Sequence, residues 1–318
     1  MKSLVTGIAG FVGSTLAEEL LSKGHEVVGI DCFTDYYDVN TKMANIKNFE
    51  SDVAIVRSDI NEADLDALLD GVDTVYHQAG QPGVRSSWGR DFTTYTKMNV
   101  DATQRLLEAA KKSSTLKRFV YASSSSVYGD AESYPTRETD RPMPVSPYGV
   151  TKLAAEHLCT LYAKNFGVPT VSLRYFTVYG PRQRPDMAFN KFIRAALQGS
   201  EIEIYGDGHQ VRDFTYISDI VAANVMAGNS SVDPGTVLNV SGGSNVSIRD
   251  VLRILGEITG RTLNVNYGPP TPGDVRRTGG ESEESAKKLG WRPSVQIEKG
   301  LELEVEYFAG LLNKGGQA

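Results

Sequence analysis

Apolar runs four or five residues long recur through the first 175 residues, separated by stretches whose apolar positions repeat with helical spacing. The runs at 3–6, 26–30, 53–57, 74–77, 118–122 and 170–174 predict strands. The stretches at 14–22, 65–69, 100–113 and 148–166 predict helices. Strand and helix alternate, which requires right-handed crossovers and a parallel sheet covered on both faces. The expected class is α/β, with a doubly wound parallel sheet of the Rossmann type.

Beyond Phe176 the rhythm breaks. Pro181, Pro185, Gly199, Gly206, Gly208, Pro234 and Gly235 divide the chain into short pieces, and only the helical patterns at 188–198, 247–256 and 297–312 stand out. This predicts two domains: a doubly wound Rossmann domain at 1–175, with a dinucleotide-type topology, and a smaller C-terminal α/β domain at 176–318, mainly for substrate binding. Some segments of the second are expected to return to the first. Ligands of such sheets bind at the carboxyl ends of the strands, where the second domain would sit. No internal repeat or low-complexity tract is present.

Composition changes the picture by exclusion. The chain has 318 residues, 40% apolar and 23% charged, enough to bury a sizeable core. Lys+Arg 33 against Asp+Glu 39 gives a formal charge of −6, which argues against nucleic acid as a partner. Cys32 and Cys159 make no disulfide framework, and the four histidines show no paired spacing, so no metal is expected. No run of 18 apolar residues occurs, and the apolar N-terminus is interrupted by three glycines. The expected setting is soluble and cytoplasmic, with no membrane partner.

Candidate chemistry begins at the first turn. The strand at 3–6 runs into Gly7-Ile8-Ala9-Gly10-Phe11-Val12-Gly13 and then a helix, a G-x-x-G-x-x-G spacing. Such a turn lets backbone approach a pyrophosphate closely and lets helix pack on strand. Asp31, 18 residues after Gly13, closes the second strand. A carboxylate there accepts from a ribose 2′-hydroxyl and repels a 2′-phosphate, favouring NAD over NADP. Asp59, closing the third strand, is placed to reach the adenine amino group. Ordinary strand-end turn chemistry is the alternative for both aspartates.

Tyr148 and Lys152 lie four apart at the start of a helical pattern, hence on one face, as many solvated pairs do. Ser124 precedes them within Ser123-Ser124-Ser125-Ser126, at the carboxyl end of the strand at 118–122. With these residues the sequence resembles the extended short-chain dehydrogenase/reductase family, whose Ser/Thr, Tyr and Lys match Ser124, Tyr148 and Lys152. The resemblance spans nearly the whole chain, through His77-Gln78-Ala79-Gly80, Val127-Tyr128-Gly129, Ser146-Pro147-Tyr148 and Arg212-Asp213-Phe214. It implies oxidation of a sugar hydroxyl with NAD as hydride acceptor, and it extends the cofactor contacts to Ile60, Ala79, Gly80 and Asn99. A free tyrosine titrates near about 10. One cation at about 6 Å, at an effective dielectric near ~20, is worth roughly 3 kcal/mol, or about 2 pK units. Lys152 and the positive nicotinamide are therefore expected to bring Tyr148 near neutrality.

The resembling dehydratases carry an Asp-Glu pair, and the decarboxylases a Glu, just before V-Y-G. Here only Ser124, Ser125 and Ser126 stand there, so no acid or base is offered for a second chemical step. Epimerisation through a 4-keto sugar, rotation and re-reduction is the implied outcome. The segment 174–188, with Asp35-Tyr36-Tyr37-Asp38 and Gly83-Val84-Arg85, is similar to UDP-glucuronate 4-epimerases. On that resemblance Ser125, Ser126 and Thr177 would hold the uronate carboxylate, Arg212 the diphosphate and Asp274 the uridine ribose. Arg85 and Arg184 are candidates near the sugar, or simply structural arginines. Asn99 is read as opening the helix at 100–113, where it could cap it, and His77 as a packed strand-end histidine rather than a base. The alternatives are a UDP-glucose or dual-specificity 4-epimerase, a decarboxylase or dehydratase, and a non-catalytic NAD-binding sensor. The family also implies a homodimer formed through two helices.

Overall fold

The computed structural model describes residues 1–269 and 275–315. Its strands are β1 (Lys2–Thr6), β2 (Glu26–Asp31), β3 (Ala54–Arg57), β4 (Thr74–His77), β5 (Arg118–Ser124), β6 (Thr170–Tyr175), β7 (Thr177–Tyr179), β8 (Ile202–Tyr205), β9 (Val211–Tyr216), β10 (Thr236–Val240), β11 (Ser244–Ser247) and β12 (Val265–Gly268). The helices are α1 (Phe11–Ser22), α2 (Val39–Ile46), α3 (Leu65–Leu68), α4 (Phe92–Tyr95), α5 (Ala102–Lys112), α6 (Pro147–Phe166), α7 (Ala188–Gln198), α8 (Ile217–Gly228), α9 (Ile248–Thr259), α10 (Glu283–Leu289) and α11 (Ile297–Gly315).

Among the described residues seven strands form one parallel sheet in the order β10-β6-β5-β4-β1-β2-β3. Its strands are apolar on both faces because each face is covered. Leu4, Val75, Phe119 and Tyr121 pack toward α3, α5 and α6, while Val5, Tyr76 and Val120 belong to the core shared with α1. That is the two-residue alternation of a strand buried on both sides. The six strands read from the pattern are all present. The seventh comes from 236–240, well past residue 175, and pairs with β6. Helix α8 returns with it and packs on α1, β4 and β5. The remaining strands make two small sheets, β11-β9-β7 and β12-β8, beside the carboxyl ends of β5 and β6.

Helix α6 is fixed at both ends. The Ser146 hydroxyl accepts from the Gly149 amide at 3.1 Å, Pro147 occupies the first turn, and Gly167 closes the helix at φ 71°. Tyr148 is thereby locked into the opening turn.

Candidate active site

The glycine turn is shaped as the spacing implies. Gly7 sits at φ +67° with its α-carbon against the next crossover, where an added Cβ would stand 2.9 Å from the Ala79 backbone. A Cβ on Gly13 would stand 2.1 Å from the Gly7 carbonyl. Helix α1 begins at Phe11 without a side-chain cap, so its first amides and dipole face outward. The Asp31 carboxylate accepts from the Ala9 amide at 3.0 Å and the Phe33 amide at 2.8 Å, which sets it beside the turn. Open amides, a close-approach turn and a ribose-height carboxylate fit an NAD dinucleotide. Val12 is partly buried, and the side chains of Phe11 and Ile60 belong to the core, so these two present only main chain.

Asp59 holds Lys97 at 3.1 Å and the Asn61 amide at 2.9 Å. Burial would raise this carboxyl, and those hydrogen bonds outweigh it and lower it. These contacts fix the Asp59 carboxylate just beyond the end of β3. One expectation needs correction here, that Asn99 opens the helix at 100–113. Asn99 caps nothing: it lies within a π-helical turn, Thr96–Asp101, that precedes α5. That wider turn aims the buried amide inward, accepting from the Gln81 amide at 2.6 Å and donating to Thr151 at 3.0 Å. It joins the loop after β4 to α6.

His77 is fully buried between Thr6 at 2.8 Å and Thr103 at 2.9 Å. Burial, with Lys152 nearby, pushes its imidazole down to about 3, so it is neutral and structural. Ala79 donates its amide to Thr6 at 3.0 Å. Gly80 is squeezed between the catalytic candidates, since a Cβ there would lie 2.9 Å from Asn99 Oδ1 and 3.7 Å from Lys152 Nζ.

Ser124, Tyr148 and Lys152 come together. Ser124 accepts from the Ser126 amide at 3.1 Å and hydrogen-bonds Tyr148. The Lys152 ammonium lies 4.9 Å from the Tyr121 ring centre, and burial pulls it down to about 8. Tyr148, packed edge-on to Tyr95 at 6.3 Å, is pushed up by burial. The Ser124 hydrogen bond and the charge of Arg184 act against that push. Arg184 is thus a second cation whose charge favours the tyrosinate, beside the Lys152 expected from the sequence. Arg184 is held for this by a two-pronged pair to Asp186, both contacts 2.9 Å.

A cleft of about 170 Å³ gathers most of the remaining candidates: Arg85, Ser125, Ser126, Thr177 and Arg212 line it together with Ser146. Thr177 opens β7, and Arg212 lies on β9, which pairs with it. Below Arg212, buried Asp213 binds Ser241 and the amides of Gly243 and Gly280, fixing the strand. Arg85 also reaches across to Tyr205, its guanidinium 4.1 Å from the ring centre. Asp274 lies outside the described residues. Among the described residues no cluster of His, Cys, Asp or Glu could hold a metal, and no helix is long and apolar enough to cross a membrane.

One element escaped the sequence reading entirely. Glu156, on α6 one turn beyond Lys152, pairs with Arg174 of β6 at 2.6 and 2.9 Å, both side chains almost fully buried. Ser123 donates to Glu156 at 2.6 Å, and Arg174 also meets Tyr128, whose hydroxyl donates to Asn239 of β10 at 2.7 Å. The helical spacing 148, 152, 156 was visible in the sequence.

The site can now be compared with known proteins. Residues 3–241 match the model of the NAD dependent epimerase/dehydratase family. A crystal structure of UDP-glucuronic acid 4-epimerase from Bacillus cereus, in complex with UDP-glucuronic acid and NAD, is similar with a TM-score of 0.94 and 45% identity, covering 98% of this chain and 100% of that one. An uncharacterized UDP-glucose epimerase of Bacillus subtilis (strain 168) is 43% identical over 314 residues, 98% of this chain and 99% of the other. A probable UDP-glucuronate 4-epimerase of Rhizobium meliloti is 36% identical over 333 residues, 97% of each chain.

Proposed function

This chain belongs to the NAD dependent epimerase/dehydratase family, and on that premise we propose that it is an NAD-dependent UDP-sugar 4-epimerase interconverting UDP-glucuronate and UDP-galacturonate. The observation that carries the reading is the cleft beside Tyr148: hydroxyls of Ser125, Ser126 and Thr177 converge there, with no carboxylate next to Ser124. A decarboxylase or dehydratase needs such a group, and an epimerase does not. The likeness to the Bacillus cereus enzyme supports the uronate.

NAD, when bound, supplies hydride acceptance and return. The chain does the rest. The glycine turn, the α1 amides and Asp31 hold the dinucleotide, with Asp31 selecting against a 2′-phosphate. Tyr148 takes the proton of the C4 hydroxyl and later returns it, Ser124 holds that oxygen, and Lys152 and Arg184 bias the electrostatics toward the tyrosinate. Three neutral hydroxyl donors hold the uronate without a forked arginine clamp, which suits a sugar that must turn between two hydride transfers. Arg212 meets the diphosphate and Asp274 the uridine ribose. Residues 176–318 supply mainly the substrate side.

Thr177→Val preserves shape and removes one donor. A hydrogen bond to a charged group is worth about 1.5–3 kcal/mol, so kcat/KM for UDP-glucuronate should fall roughly 10- to 150-fold. UDP-glucose, neutral at C6, should lose only about a neutral bond's ~1 kcal/mol. Assaying both sugars and resolving the epimers checks this, and equal losses would move the substrate to the neutral hexose.

The enzyme acts in the cytoplasm as a homodimer, on this reading, through α5 and α6. Support comes from α6, which exposes Val150, Leu161 and Phe166 beside its catalytic face. Sedimentation at micromolar concentration reads the stoichiometry, and a monomer there rejects this interface.

A further inference from the structure

Helix α11 carries a carboxyl into the core. Glu304 is fully buried, and neither of its oxygens closes a hydrogen bond among the described residues. The one donor directed at it is the Gly180 amide. Gly300, one turn earlier on the same face, lies directly beneath Tyr179: a Cβ there would stand 2.1 Å from the phenol oxygen. That oxygen is also buried without a partner. Tyr179 and Gly180 close the short strand that begins at Thr177. Gly300 and Glu304 therefore form the floor under the segment that brings Thr177 to the cleft.

Among the described residues no cation pairs with the Glu304 carboxyl. Tyr216 of β9 faces Glu304 beside Tyr179. Asp219 of α8 stands behind them, bound to Ser294 and to the Val295 amide. Glu298 and Glu306 are on α11 itself. Of the nearby cations, Arg194 of α7 lies over Phe308, Arg253 of α9 pairs with Glu257, and Arg182 pairs with Glu18 through Nη2, its buried Nη1 bonding no group among the described residues. A buried carboxylate with neither cation nor full hydrogen bonds is far less stable than the neutral acid. Burial accordingly raises Glu304 well above the usual carboxyl range.

We propose that Glu304 is a positioning residue which, as the neutral acid, keeps segment 177–180 seated on α11, and whose ionisation unseats that segment and withdraws Thr177 from the substrate. Only the last clause rests on the epimerase reading. In the unfolded chain Glu304 ionises near its ordinary 4.5, in the folded chain far higher. Below the lower value both states keep the proton and nothing depends on pH. Above it an opened segment loses the proton that the closed one retains, so closure weakens as pH rises until the folded value is passed.

The test is hydrogen–deuterium exchange on the full-length, NAD-loaded protein from about pH 6 to 9, corrected for intrinsic rates. Protection of the 177–184 amides should fall by up to about tenfold per pH unit in the wild type. It should stay flat in Glu304→Gln and in Glu304→Met, the second guarding against poor accommodation of the amide. KM for UDP-glucuronate should rise with pH in the wild type and not in the variants. Equal protection slopes in all three proteins would overturn the proposal. Different slopes with a KM indifferent to pH would overturn the positioning role. A wild type inactive on UDP-glucuronate would overturn the substrate reading alone, because protection is measured without substrate.

Discussion

Replacing Tyr148 by Phe should lower kcat by about 100- to 10,000-fold while leaving substrate Kd little changed. The substitution removes one hydroxyl from a ring held by α6's first turn and packed edge-on to Tyr95 at 6.3 Å, so the fold has no reason to move. The size of the effect follows from what the hydroxyl alone does: it hydrogen-bonds Ser124 and is the group on which Arg184's charge acts. Isothermal titration with UDP-glucuronate, beside steady-state kinetics, separates binding from chemistry. Retention of more than about a tenth of wild-type kcat would mean that another group is the base.

The second large effect is on stability. Glu156→Ala leaves the Arg174 guanidinium buried at 4% side-chain exposure with its two carboxylate contacts gone. Breaking a buried pair from one side costs about 3–5 kcal/mol, which in a chain of this size lowers Tm by roughly 4–8 °C. Removing both charges together, as Glu156→Leu with Arg174→Met, should recover most of the loss, because no unpaired charge is left behind. Calorimetry on the three proteins reads this directly. A single variant within about 1 kcal/mol of wild type would show that solvent reaches Arg174 after all. The pair matters to the site because Glu156 sits on the same helix as Tyr148 and Lys152, and Ser123, next to Ser124, donates to it. Four elements are pinned to one another there: β5, β6, α6 and, through Tyr128 and Asn239, β10.

What the sequence made legible was local. Gly7, Gly10 and Gly13, or Tyr148 and Lys152, act through spacings of three or four residues, and backbone geometry alone converts such spacings into proximity. Ser124 was legible because parallel strands bring their carboxyl ends to one edge. What stayed hidden depends on partners far apart in the chain. Arg174 reads as one polar residue in a strand, and only the fold sets Glu156 against it. The turn at Asn99 took a π form that no composition rule announces, and Asp59's lysine comes from that same turn, 38 residues away. The charge of Arg184 on Tyr148 was hidden for the same reason, since it comes from a segment 36 residues further along the chain. Glu304 breaks the apolar stripe of Ile297, Leu301, Val305 and Phe308, a signal that was present and went unread.

The late arrival of β10 bears on how the chain is made. During synthesis the first six strands emerge before their sheet is complete, and β6 then presents the unpaired main chain of Thr170–Tyr175 as a raw edge. One face of that edge is apolar, through Val171, Leu173 and Tyr175, the kind of surface that recruits a neighbouring nascent chain. It is covered only once Thr236–Val240 has cleared the ribosomal exit, by which point β7, α7, β8, β9 and α8 are already outside. The two halves of the molecule therefore cannot mature one after the other. The sheet of the first 175 residues waits for a strand supplied from Thr236–Val240, and premature termination before it leaves the β6 edge uncovered.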